Sequence, residues 1–439
     1  QKVGSVNEDE SQRGLAHFLE HMCFNGTKNF PGNSVISYME TLGVKFGADL
    51  NAYTSTDETV YRICNVPTDN QSSLDSCLLV LHDWSHDLLL EDAEIDKERG
   101  VIESEWRMRS GAGYRMLERC APVIFSGSRY GYRMPIGLMS VVRNFAYDDL
   151  RRYYHKWYYP ANQAIVVVGN VDIDYTEKMI KKLFSPIKTP KGAGVPDKYD
   201  VPDNEDIICA VESDPEQSTR LLTVYFKHEG LADSDVPTVA FFRNDYVKSV
   251  VKMMFNERLG DISRVKTSPF TSVSVHDEGF SVAGSKDAFS LRAVVKRDSM
   301  ASAARVLARE VARLHKYGFT QTEYDRAAKK VRALIDDYYA NRDSRSNYEF
   351  SQEYIRNFID GEPLPSIEDY MNIIGNVEKD MTLAEANRYV ADNISKTDRN
   401  VVITAFCPVD KDEPLPQGQD IIDAFHEGRS SDVGPYVDS

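Results

Sequence analysis

The sequence contains no run of apolar residues approaching the roughly twenty that a membrane-spanning helix needs, so no segment of it reads as one. It also lacks any Cys-x-x-Cys pair. Its six cysteines, Cys23, Cys64, Cys77, Cys120, Cys209 and Cys407, are scattered, and all but Cys120 lie in apolar surroundings. They are expected as buried free thiols and leave the redox compartment open. Clustered basic residues are missing too. With 52 Lys and Arg against 68 Asp and Glu, the formal net charge is −16, which argues against a nucleic-acid partner, because phosphate binding rests on concentrated positive charge. An acidic surface suits basic or neutral ligands, or simply keeps the protein soluble. Neither an initiator Met nor a signal peptide is present. The opening Gln1-Lys2-Val3-Gly4 reads as the inside of a strand, so a shortened N-terminus, with any targeting segment lost, is expected.

What the chain does have is length and ordinary globular composition: 439 residues, 42 % apolar and 27 % charged. At roughly 100–200 residues per domain, two or three domains are expected. The stretch Ser185–Asp206 holds Pro186, Pro190, Pro196 and Pro202 without apolar periodicity and reads as a linker. The expected division is 1–190, a linker at 191–205, and 206–439. Before the linker, helices are expected near 14–25, 33–41, 70–88, 92–116, 147–157 and 176–184, with strands at 45–53, 59–66 and 165–168. Asn33 looks like an N-cap and Gly43 a helix end. After it, strands are expected at 207–211, 221–226, 270–275, 289–295 and 400–406, and helices at 236–259, 301–316, 322–339, 367–374 and 383–393. The two halves end alike, Ile165–Val168 before Val171-Asp172 and Asn400–Ala405 before Val409-Asp410, an offset of 238 residues. A duplication on that offset would put the first unit's start about thirty residues ahead of Gln1.

The chemistry sits in His17-Phe18-Leu19-Glu20-His21. On a helix, His17 and His21 are i and i+4 and Glu20 is i+3 from His17, so all three project within an arc of about 100°. Two imidazoles one turn apart can reach a single Zn²⁺ at about 2.0–2.1 Å, and Glu20 then stands beside the metal, free to take a proton from water that the metal activates. Chance would give the spacing in about one such chain in a hundred. Against chance stand Leu15, Ala16, Phe18, Leu19 and Met22, which mark a buried helix where His and Glu without a task would be costly. A third ligand is required, with one position left open. Candidates lie on the acidic stretch Glu91–Trp106. Ile95, Ile102 and Trp106 form its apolar stripe, with Glu94, Glu98 and Glu105 along one side and Glu103 on the other. Periodicity does not choose among Glu94, Glu98 and Glu105.

The runs Gly14–Met22 and Phe24-Asn25-Gly26-Thr27, then Asn51-Ala52-Tyr53-Thr54-Ser55, then Glu98–Glu105, resemble in order and content the pitrilysin/insulinase family of zinc metallopeptidases, whose His-x-x-Glu-His motif is the inverzincin pattern. The resemblance covers most of the first 190 residues and is nearest to the N-terminal half of large bacterial members, which are often exported. It implies an α+β fold of two similar α/β units, each a mainly antiparallel sheet packed with helices, the second without a metal motif. It implies one Zn²⁺ held by His17, His21 and Glu105, with Glu20 as general base. Glu98 would be a supporting acid that orients a ligand. Because the gap from His21 to Glu105 is longer than in many members, Glu103 stays open as the third ligand, although helical phase favours Glu105. Asn51, Ala52 and Tyr53 match the family's strand beside the metal, to which a peptide adds by main-chain hydrogen bonds.

Family members use an Arg and a Tyr from a second half or partner subunit to grip the substrate carbonyl. No such pair is evident after residue 200, since Arg342, Arg345 and Tyr348 lie in a helical stretch. The chain is therefore expected to be a half-molecule of a zinc endopeptidase for peptides or unfolded polypeptides. The rival readings are a non-catalytic partner subunit of the same fold, disfavoured by the intact motif, and a bare metal store, which would leave Glu20 idle.

Overall fold

The computed structural model describes residues 1–109 and 111–438, Arg109 by its backbone alone. The fold is α+β, with two α/β units, each built on a mainly antiparallel sheet packed with helices. The first unit comprises Gln1–Ser110, Tyr132–Tyr199 and Asn347–Ile359; the second comprises Gly111–Gly131, Asp200–Ser346 and Asp360–Ser439. In chain order the elements are α1 (Leu15–Met22), α2 (Ser34–Thr41), β1 (Leu50–Thr54), β2 (Thr59–Ile63), α3 (Gln71–His86), α4 (Asp92–Arg109), α5 (Ala112–Ile124), α6 (Met139–Asn144), α7 (Tyr147–Trp157), α8 (Ile173–Phe184), β3 (Ile208–Asp214), β4 (Arg220–His228), α9 (Val239–Arg264), β5 (Phe270–Gly279), β6 (Asp287–Val295), α10 (Met300–Tyr317), α11 (Gln321–Ala340), α12 (Asn347–Asp360), α13 (Ile367–Asp380), α14 (Leu383–Asn393), β7 (Val401–Pro408) and α15 (Gly418–Arg429). Among the described residues no helix is long and apolar enough to cross a membrane.

In the first unit, α1 is short but almost wholly enclosed. Leu15, Phe18, Leu19 and Met22 pack with Ile95 and Ile102 of α4 and with Leu150, Tyr153 and Trp157 of α7. The chain enters α1 through Gly14, whose φ of 108° favours glycine. Gly137 lies against it so closely that an added Cβ would sit 2.2 Å from the Gly14 Cα. Glu8 closes the helix start: its two carboxylate oxygens accept from the backbone N–H of Gly14 at 2.9 Å and of Ala16 at 2.8 Å. That satisfies donors which a helix N-terminus otherwise leaves without partners. The β1–β2 hairpin pairs Leu50 with Ile63 through Thr54 with Thr59, with the polar run Ser55-Thr56-Asp57-Glu58 between them.

The second unit carries a five-stranded sheet of order β3-β7-β4-β6-β5, antiparallel except for the parallel β3–β7 pair. The largest described cluster of its core fully buries Phe226, Phe255, Phe270 and Phe289.

Several local expectations change. The strand expected at 45–53 begins only at Leu50, because Lys45–Asp49 forms a turn, with Asp49 N–H on the Lys45 carbonyl at 2.8 Å and Gly47 at φ 83°. Asn33 precedes α2 without a side-chain capping bond. The helix expected over 92–116 is two helices, since Gly111 is extended (φ −62°, ψ 160°) and α5 opens after it. Residues 165–168 join no ladder among the described residues, and a strand requires such a neighbour to satisfy its backbone groups. α15 had no counterpart among the expected elements. All six cysteines are free, but Cys64 and Cys209 are half-buried rather than buried.

Candidate metal centre

α1 and α4 bring the expected residues together. His17 and His21, one turn apart, have ring centroids 4.6 Å from each other at an interplanar angle of 78°. Both turn Nε2 toward one oxygen of Glu105, 3.7 Å from His17 and 3.2 Å from His21. One donor atom from each of these three residues lies within 4.8 Å of the other two. Two other acids of α4 go elsewhere: Glu94 pairs with Lys97, and Glu103 pairs with Arg107 and, at 2.8 Å, with Arg143. The helical phase thus separates Glu105 from Glu103 in space as it does on paper.

Glu98 is nearly buried and faces the back of the cluster. Its Oε1 is 2.7 Å from His21 Nδ1, and its Oε2 accepts from Asn25 Nδ2 at 2.7 Å. A carboxylate on Nδ1 holds the hydrogen there and turns Nε2 toward the shared point, the arrangement metal-binding histidines use. His17 is pushed down to about 4 by burial and by its neighbour His21, against the pull of Glu105, so its ring is neutral at physiological pH and offers a lone pair. Its Nδ1 is buried without a partner among the described residues. Burial also works against charge on His21, but hydrogen bonds to Glu105 and Glu98 outweigh it and lift the ring to about 9. Two imidazoles and a carboxylate with an open side suit a catalytic zinc site. The donor set fits the metal.

Glu20 completes the group. It is buried, and Thr54 Oγ1 at the end of β1 donates to its Oε2 at 2.5 Å. Burial raises its carboxyl above the ordinary range, while the Thr54 bond and His21 oppose the rise and Glu105 adds to it. Among the described residues β1 has one ladder neighbour, β2, apart from an isolated bridge between Phe46 and Leu50, and its other edge from Ala52 onward pairs with no strand. Asn51 and Tyr53 are exposed on it, and the Asn51 side chain accepts from the Ala52 N–H at 2.9 Å.

Residues 2–118, which contain the whole cluster, match the family description "Insulinase (Peptidase family M16)", and residues 144–331 match "Peptidase M16 inactive domain". The chain belongs to the M16 insulinase family. Among its M16 relatives, the probable zinc protease PqqL of Escherichia coli is 33 % identical over 327 residues, covering 74 % of this chain and 34 % of that protein. A zinc protease PQQL-like protein of Arabidopsis thaliana is 29 % identical over 88 % of this chain and 37 % of its own length. The chain thus spans little more than a third of the length of these relatives. Among solved structures, the first half of the periplasmic protease PqqL from Escherichia coli matches with a TM-score of 0.87 at 26 % identity, over 99 % of this chain and 92 % of that one. Pitrilysin shares the fold, with a TM-score of 0.70 at 18 % identity. The two sequence relatives are named as zinc proteases and the PqqL structure as a periplasmic protease.

Three side chains around the site had no role assigned from sequence. Asn25 and Thr54 stand inside the motif runs, and Thr54 could have been inferred from strand alternation, since it shares a face with Ala52 and not with exposed Tyr53. Glu8 lies outside those runs, six and eight residues ahead of the N–H groups it accepts from.

Proposed function

We propose that this M16 chain is the metal-binding half of a zinc endopeptidase acting on peptides or unfolded polypeptides, with a second homologous half or partner subunit closing the chamber around the substrate. The observation that carries this reading is the convergence of His17, His21 and Glu105 on one point, with Glu20 beside them on α1. His17, His21 and Glu105 would hold the zinc, which supplies Lewis acidity that polarises a peptide carbonyl and makes water easier to deprotonate. Glu20 takes the proton from the attacking water and later returns it to the leaving amine. The Thr54 hydroxyl occupies one Glu20 oxygen and so directs the other toward the reacting atoms. Glu98 fixes the His21 ring from behind. The open edge of β1, with Asn51, Ala52 and Tyr53, receives the substrate as an added strand, main-chain bonds giving affinity without strong dependence on sequence. The Arg and Tyr that grip the substrate carbonyl would come from the second half, in keeping with the length of PqqL relative to this chain.

The test is zinc content and peptide cleavage of the chain, alone and with the complementary half added, for wild type and Glu20→Gln. General acid–base catalysis is worth about 10²–10⁴-fold, so the variant should retain zinc and lose cleavage on that scale. Equal cleavage by both proteins would refute the role of Glu20, and absence of bound zinc would refute the metal centre.

A further inference from the structure

α12 lies in the first unit, although the chain on either side of it belongs to the second. None of its residues is fully buried, and it meets the first unit through charged and aromatic contacts. Arg356 Nη2 donates to both Glu58 oxygens, at 2.6 and 2.7 Å. The Arg62 guanidinium of β2 lies 5.3 Å over the Tyr348 ring, and the Lys2 ammonium lies 4.5 Å over Phe358. Glu58, in the hairpin turn, is only 8 % exposed, and it also accepts from the Tyr53 hydroxyl at 2.7 Å. Its main chain closes the turn: Ser55 N–H donates to the Glu58 carbonyl at 2.8 Å, and Glu58 N–H to Ser55 Oγ at 3.1 Å. The residue before Ser55 is Thr54, whose hydroxyl holds Glu20.

From this chain of contacts we infer that Arg356 is a positioning residue for the candidate active site, fixing Glu58 and through it the strand that carries Thr54 to Glu20 and offers its edge to substrate. The physical reason lies in the burial of Glu58. A nearly buried carboxylate that loses a charged donor must exchange it for water, and without the guanidinium to hold Glu58 in place the turn that Ser55 and Tyr53 share with it loosens. One guanidinium nitrogen makes both contacts, so a Lys ammonium can replace much of the bond, which a site needing the full planar fork would not tolerate. The link from Arg356 to the hairpin stands on contacts alone; its effect on cleavage rests on the peptidase reading above.

Amide hydrogen exchange on the full chain tests the link without any need for activity. Arg356→Ala should speed exchange of the 50–63 amides about tenfold or more, with α1 amides unchanged and Arg356→Lys restoring most of the protection. Unchanged exchange in the hairpin would overturn the inference. With the complementary half present, Arg356→Ala should lower kcat/KM at unchanged zinc content, and Glu58→Gln combined with it should add little to the loss. Full activity of Arg356→Ala, or fully additive losses, would also overturn it. Equal cleavage by wild type and Glu20→Gln would instead refute the peptidase reading and leave the exchange result standing.

Discussion

Glu98→Gln isolates the support behind the metal ligands. In the wild type each carboxylate oxygen receives its own donor, His21 Nδ1 on one and Asn25 Nδ2 on the other, both at 2.7 Å. A glutamine amide has one acceptor oxygen, so one of those donors meets an NH₂ group instead. Leaving a buried donor without its partner costs about 1–3 kcal/mol, and at ~1.4 kcal/mol per tenfold in affinity this becomes a zinc affinity weaker by roughly 5- to 150-fold. The general experience that partners behind metal ligands are worth about 10–100-fold falls inside that range. The assay is zinc competition against a fluorescent chelator at neutral pH on the intact chain. Glu103→Gln serves as the control, because Glu103 is committed to Arg107 and Arg143 on the other side of α4. An affinity for Glu98→Gln within twofold of wild type, or an equal loss in Glu103→Gln, would refute the reasoning.

Two further perturbations reach the scaffold of α1. Burial pushes the Glu8 carboxyl up to about 8, against the hydrogen bonds from Ala16 and Gly14, so between the unfolded value near 4.5 and about 8 the folded chain binds the extra proton. Stability contributed by this group is therefore full at low pH and falls as pH rises through that window; thermal melts of Glu8→Gln between pH 5 and 8.5 should show a flatter pH dependence than wild type, and parallel curves would contradict the assignment. Gly137→Ala places a Cβ 2.2 Å from the Gly14 Cα, and the forced shift of the α1 entry should destabilise the first unit by about 2 kcal/mol or more, beyond the usual range of surface changes. A melting temperature within a degree of wild type would show that the Gly14–Gly137 approach is not tight.

What could be read along the chain was whatever a single helix or strand decides by its own geometry. His17, Glu20 and His21 had to share one face because a helix repeats every 3.6 residues, and Leu15, Phe18, Leu19 and Met22 marked the surrounding faces as buried. The same logic put Glu105 and Glu103 on opposite sides of α4. The hairpin, the buried strands β4 and β7 and most helices were visible through local periodicity. The break at Gly111 was not, because α5 is tied to β3 by Arg115 on Asp214, at 2.6 Å, and by Arg119 on Glu212, at 2.7 Å, partners about a hundred residues away.

Tertiary structure alone decided which of those faces meet. Periodicity left Glu94, Glu98 and Glu105 equivalent; the packing of Ile95 and Ile102 against α1 sets the level at which α4 crosses, and so gives Glu105 to the ring nitrogens and Glu98 to the back of His21. Thr54 on Glu20 and Arg356 on Glu58 are likewise products of chain segments brought side by side. The asymmetry is physical. Spacing within one element follows from backbone geometry and a few neighbouring residues, whereas a contact across elements depends on the shapes and volumes of everything packed between them.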